Sequence, residues 1–381
     1  MKFVQLALII FFLFISSAFS QTENNIELVL QSNFNSDTIK NRLERLNAKT
    51  PIDLFFTPSV EKTIKRYLKT RIEFYRDNID KISFYLPLFE EHLQNKQIPQ
   101  EIKYLPIIES RLDPSAVSRV GATGLWQFMF YTALENGLTM NSYIDERMDP
   151  QKSTVAAALY LSKLYLIHND WNLVLASYNA GPRTISRAKT KSGGYTNYWN
   201  MRPFLPSETA NYIPSFIATM YILEYSKEHG IDLDKVEKPI LKTEKIIVKE
   251  KIAFEHISDF FQYSKDSIKS LNPSYIHNII PADGKNKLRL PIELVDRFVM
   301  QEEEFYSFAK AEFEKREKPL PDLYSIDSKL IYKVKYGEFL GKIARKFGIK
   351  VSDLKRWNNL KSDNIRENQK LIIFPKRIPK N

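Results

Sequence analysis

Glu109 is the residue whose type and setting could do acid–base chemistry. It lies in the stretch 104–131, YLPIIESRLDPSAVSRVGATGLWQFMFY, where one carboxylate, a run of small residues and an amide-bearing turn come together. Pro99, Gln100 and Glu101 read as a helix start, and Ile102, Leu105 and Ile108 recur at the spacing that gives a helix an apolar face. Glu109 falls one turn beyond Leu105 and two beyond Ile102, so it points with the apolar stripe, and Asp113-Pro114 ends the helix. Partial desolvation and the negative helix end both favour a protonated carboxyl, the state a general acid needs near neutral pH. A solvated acid at a fraying helix end has the same local sequence, so Glu109 alone decides nothing.

The residues that follow narrow the choice. Gly121 and Gly124 allow a tight turn and a close approach of backbone to a ligand, and Trp126, Gln127 and Met129 suit the apolar and amide faces of a sugar, although the same residues could be ordinary core. Glu109-Ser110, then Pro114, Ser118 and GATGLWQFM together resemble the active-site signature of the lytic murein transglycosylases, most closely the membrane-bound D type. Two more segments follow in that family's order. Asp170 is placed to cap a helix from Trp171 to Tyr178, which stops at Asn179-Ala180-Gly181-Pro182 and resembles the family's AYNAG motif. The third, LPSETANYIP over 205–214, has Ala210 where family members commonly carry arginine.

The resemblance covers about 60–227 and implies a mainly helical, goose-type lysozyme-like catalytic domain. It implies Glu109 as the catalytic group, Tyr178 beside that acid, Asn179 ordering the substrate, and Ser118, Gln127, Met129, Glu208 and Tyr212 in the substrate-binding set. Glu208 could equally be a structural acid at a helix start. The implied reaction is cleavage of the MurNAc–GlcNAc β-1,4 bond of peptidoglycan without water, giving 1,6-anhydro-muramoyl ends. Most glycosidases employ two carboxylates, and the signature holds one. Two alternatives stand beside this one: a hydrolytic muramidase with Glu208 as the second acid, and a noncatalytic peptidoglycan-binding protein.

Other chemistries lack their parts. His92, His168, His229, His256 and His277 form no metal-binding pattern, and the chain has no cysteine, so no metal and no cofactor are expected. There is no phosphate-binding loop, dinucleotide fingerprint or GxSxG elbow.

Residues 1–20 read as a cleaved signal peptide: charged Lys2, an apolar run from Leu6 to Ile15, and Ala18-Phe19-Ser20 before Gln21. The run is shorter than the about 20 apolar residues a membrane span needs. Export to the periplasm or cell envelope follows, with peripheral association there. Without cysteine there is no lipoprotein anchor. The formal net charge is +11. Outside the cytoplasm a basic chain suits an anionic polymer such as cell wall, with peptidoglycan glycan strands as the expected partner and nucleic acid set aside.

The expected organisation is α+β. Residues 21–58 read as a mobile lead-in, polar and without periodicity, and 59–228 as the helical domain, with Pro87 breaking its early helices and Ser153 capping a later one. Beyond Gly230 a repeat appears at constant offset, Val248 falling on Val334, Ile257 on Ile343, Phe261 on Phe347 and Asn272 on Asn358. Each copy reads strand, helix, helix, strand. The second, 331–375, resembles a LysM domain, which implies binding to N-acetylglucosamine-containing chains. The first, 245–291, resembles a degenerate LysM with Lys251 where Gly337 stands, and a structural cap remains open for it. Residues 292–321 read as a helical spacer.

Overall fold

The computed structural model describes residues 35–234, 242–282, 284–317 and 330–375. The leader at 1–20 lies outside them. The architecture is α+β: a mainly helical part, then small modules each closed by short antiparallel strands. The described residues form two compact units, one made of 35–87, 97–104 and 161–234, the other of 88–96, 105–160 and the described residues from 242 on.

The first unit is built around the helix Ser207–Glu224, whose residues Ile213, Phe216, Ile217, Tyr221 and Ile222 are wholly buried. Helices Pro58–Thr70 and Trp171–Ala180 pack against it. Pro214 sits inside this helix, and a proline has no N–H to give the carbonyl four residues back. That carbonyl belongs to Ala210, and it accepts instead from the Tyr198 hydroxyl at 2.9 Å and from Arg202 Nε at 2.7 Å. The helix therefore passes its proline without leaving a buried acceptor unpaired.

Three expectations need correction here. The lead-in is not featureless, because Ser36–Asn47 is a helix capped by Asn35, whose side chain accepts from the Asp37 and Thr38 N–H groups. Ile39, Leu43 and Leu46 bury its narrow apolar edge. Pro87 does not break its helix, which runs from Ile79 to Gln94. Ser153 is not a cap: the helix starts at Pro150, and Asp149 caps it by accepting from the Gln151 and Lys152 N–H groups.

In the second unit, Thr243–Ile247 pairs antiparallel with Lys287–Pro291 around helices Phe254–Phe261 and Lys265–Leu271, and a short extra ladder joins Ile252–Ala253 to Ile279–Ile280. The stretch read as a spacer belongs to this module. Helices Ile292–Met300 and Glu302–Glu314 put Leu294, Phe298, Phe305 and Ala309 into the same core as Ile257 and Phe261, and the Lys249 N–H donates to the Tyr306 hydroxyl at 2.9 Å. The apolar spacing was that of a core face, so an exposed helix was the wrong inference from a correct period.

The last module has its own core, from Leu330 and Tyr332 through Ile343, Phe347 and Leu354 to Leu371 and Ile373. Strands Leu330–Lys333 and Lys370–Ile373 pair antiparallel around helices Leu340–Phe347 and Val351–Trp357, the first ended by Gly348 in the left-handed conformation. The repeat is exact in its polar joint. Asn358 donates to the Leu354 and Ile372 carbonyls and accepts from the Ile372 N–H. Asn272 does the same with Ile268 and Arg289. The strand partner lies 14 residues on in the last module and 17 in the first, so the first copy carries three extra residues between helix and closing strand.

Candidate active site

Glu109 is half-buried on the last turn of the short helix Leu105–Ser110. A 3-10 turn, Gln100–Tyr104, precedes that helix, and Arg111 and Leu112 leave it with φ of 55° and 59°. Two consecutive left-handed residues are costly outside glycine, and they stop the helix directly after the acid. Ser110 then fixes the position: its hydroxyl donates to Pro106 O at 3.0 Å and is 2.9 Å from Leu125 O. The carboxylate-bearing turn is thereby attached to the signature turn.

That turn is a small closed structure. Thr123 and Phe128 exchange two backbone hydrogen bonds, at 3.1 and 3.0 Å, and Gly124 N–H donates to Ala116 O. Ser118 accepts from the Ala122 N–H through its side chain, its own N–H donates to Ala122 O, and its carbonyl accepts from the Gly121 N–H. Gln127 has φ of 48°, and its amide Nε2 donates to Gly124 O at 2.9 Å and Ala116 O at 3.3 Å. Its N–H groups are spent on the turn itself. Met129, 43% exposed, stands at the surface beyond it, and Val117 and Val120 are exposed on the approach.

Two expectations about this stretch change. Trp126 offers no sugar-facing surface: it is fully buried, packs edge-on to Phe89 at 5.3 Å, and donates to Thr154 Oγ1 at 2.9 Å. Gly124 is required by protein, not ligand. A Cβ there would come within 1.8 Å of the Arg147 carbonyl oxygen, and its φ of +84° excludes most side chains besides.

Arg147 and Asp145 were not legible as site-forming residues. The Arg147 side chain is 3% exposed and its fork meets Asp145 at 2.9 and 2.7 Å. Its remaining NH1 donates to Gly121 O at 3.0 Å and Phe128 O at 3.2 Å, the two ends of the signature turn. An Asp-x-Arg pair among surface-type residues carries no sequence signal for this.

On the other unit, the Trp171–Ala180 helix is capped by Asp170 as expected, and Asn179 at its end accepts from Thr209 Oγ1 at 2.9 Å. This bond joins Tyr178-Asn179 to the first turn of the Ser207–Glu224 helix, where Glu208 is exposed and Tyr212, one turn on, is buried. Beside Ala210, Arg202 reaches the Ala210 carbonyl at 2.7 Å and Asn211 Oδ1 at 3.5 Å. The last module holds a cleft of about 390 Å³ lined in part by Tyr332, Lys335, Tyr336, Glu367 and Asn368.

Residues 87–200 match the family described as Transglycosylase SLT domain, and 332–374 match the LysM domain. Residues 242–307 match the family described as Lytic transglycosylase MltD, LysM-like domain, a span that includes the helix Ile292–Met300. These matches define a transglycosylase SLT-type domain followed by LysM-type modules. More particularly, the chain is similar to lytic transglycosylase D-like proteins. It is 29% identical over 286 residues to the membrane-bound lytic murein transglycosylase D of Escherichia coli, an overlap of 74% of this chain and 61% of that protein. The chain therefore spans about three-fifths of that relative's length. A putative tributyltin chloride resistance protein of an Alteromonas species is 31% identical over 113 residues, 28% of this chain and 55% of that one. Among solved structures, the 70 kDa soluble lytic transglycosylase of Escherichia coli is 27% identical with a TM-score of 0.33, over 39% of this chain and 25% of that one. Among the described residues, no helix is long and apolar enough to cross a membrane.

Proposed function

We propose that this chain cleaves the MurNAc–GlcNAc bond of peptidoglycan by intramolecular transfer, with Glu109 as acid and then base. The observation that carries the proposal is the fixed attachment of Glu109 to the signature turn through Ser110 and Leu125, in a stretch that matches the SLT family. A positioned carboxyl is what proton transfer to a glycosidic oxygen requires.

The steps balance without water. Glu109 gives its proton to the bridging oxygen as the bond to muramoyl C1 breaks, and the substrate's own acetamido oxygen stabilises the cation that develops at C1. The Glu109 carboxylate next takes the proton of the same sugar's 6-hydroxyl, and that oxygen closes on C1. Because the nucleophile is already held beside the reacting carbon, one acid suffices. Ser118, Gln127 and Met129, together with Tyr178, Asn179, Glu208 and Tyr212, make up the substrate-binding set in this reading. The cleft of the last module supplies a second hold on the glycan, and action takes place in the cell envelope after export.

Digestion of purified wall in oxygen-18 water tests the reaction type. Transfer gives unlabelled 1,6-anhydro ends, lighter by one water than the hydrolytic product. Labelled reducing ends as the main product would overturn the proposal and bring Glu208 forward as the second carboxylate.

A further inference from the structure

We infer that the first LysM-type module is a positioning element for the signature turn, and that Asp145 and Arg147 transmit its hold. The inference rests on the reading of Glu109 and Gln127 as active-site residues. The loop between the helix Phe130–Glu135 and the helix Pro150–His168 does not end in solvent. The Asp145 N–H donates to Ser274 O and the Ile276 N–H donates to Tyr143 O, both at 2.9 Å, and Ile144 forms an antiparallel bridge with Tyr275. Tyr143 and Ile144 are buried in the module's own core beside Val248, Phe254 and Tyr275, and the Tyr143 ring meets His277 edge-on at 5.5 Å. A further tie runs from Lys245 Nζ to Gln151 Oε1 at 3.0 Å.

The contact uses residues just after Asn272, inside the loop that is three residues longer here than in the last module. From the docked Asp145 the connection is short. Its carboxylate holds both arms of the Arg147 fork, and NH1 of Arg147 holds Gly121 O and Phe128 O. Gln127 lies between those two anchor points in a left-handed conformation that needs outside support. Undocking the module lets the turn relax away from Glu109, and misplacement by about 1 Å is enough to cost roughly 10²-fold in rate.

The test uses the full chain carrying Ile144→Cys together with Tyr275→Cys. The chain has no cysteine of its own, so this pair is unique, and bridge partners lie within disulfide reach. In the reduced protein the lost packing loosens the contact. We expect kcat on soluble glycan strands to fall about tenfold or more, with KM and sedimentation on wall sacculi changed by less than about twofold, and oxidation to restore kcat. Amide exchange at Thr123 and Phe128 should quicken on reduction and slow on oxidation. Equal kcat and equal exchange in both forms would overturn the inference, as would failure of the pair to close. Loss of wall binding at unchanged kcat would make the module a glycan binder instead. If the unaltered protein turns over no wall glycan, the functional proposal fails, and the exchange rates still decide whether the module holds the turn.

Discussion

The Tyr198 hydroxyl donates at 2.9 Å to the Ala210 carbonyl, the acceptor that Pro214 cannot serve. Burial also pushes the Tyr198 phenol well above its usual range, so it remains a donor at any working pH. Tyr198→Phe is expected to cost about 1 kcal/mol, with Arg202 Nε keeping the carbonyl satisfied. Tyr198→Phe with Arg202→Met should cost more than the two changes separately, which denaturant titration of all three variants would measure.

Arg147→Met leaves the Asp145 carboxylate buried without its partner. Breaking one side of such a pair costs about 3–5 kcal/mol, so a fall in Tm of many degrees is expected, and Asp145→Asn with Arg147→Met should recover part of it. Calorimetry on the single and double variants checks this. A single variant as stable as the parent would mean that the pair contributes nothing to the turn.

Glu109→Gln keeps the shape of the side chain and removes the proton. Activity on wall should drop by about 10² to 10⁴, with sedimentation and circular dichroism unchanged. Retention of more than about a tenth of the activity would place the acid elsewhere.

Tyr336 is almost fully exposed and lines the last module's cleft together with Glu367 and Asn368. An exposed aromatic face suits a sugar ring, and Tyr336→Ala should weaken wall sedimentation by about tenfold while leaving kcat on soluble strands intact. Equal sedimentation would remove this cleft from wall binding.

His229 is buried beside Tyr221, has no hydrogen bond to either ring nitrogen among the described residues, and has its pKa lowered to about 4 by burial and then by Arg42. The folded state therefore binds a proton less readily than the unfolded one. Its contribution is fully present above the unfolded value near 6.5, falls as pH drops from there, and levels off once the pH passes below about 4. The loss by pH 4 is on the order of 3 kcal/mol. His229→Phe should flatten stability against pH across that window, and urea midpoints between pH 4 and 7 would show it.

Much of this molecule is written locally, and what is local was legible. The Asp170 cap, the helix stop at Gly348 and the strand–helix–helix–strand order of the last module follow from one residue or one period each. So does the end of the Glu109 helix before Asp113, whose side chain makes the turn by accepting from the Ser115 N–H. The family signature, read from the same short stretches, points to a transglycosylase-type domain and LysM modules, and both matches agree.

What a residue faces depends on chain far away, and there the sequence alone was insufficient. Trp126, with its indole donor held by Thr154, has the composition of a sugar platform and the environment of a core residue. Gly124 is a glycine because the Arg147 backbone passes too close for a Cβ, which no local pattern records. The helices after Pro291 have one apolar face, and only tertiary packing shows that it closes on Phe261 instead of standing in solvent. Tyr143 and Ile144 complete a core whose other members lie more than a hundred residues further on, because burying apolar surface requires only proximity in space. Short-range signals such as caps, stops and periods gave many of the elements, and long-range contacts decided which faces of them are buried and which side chains remain exposed.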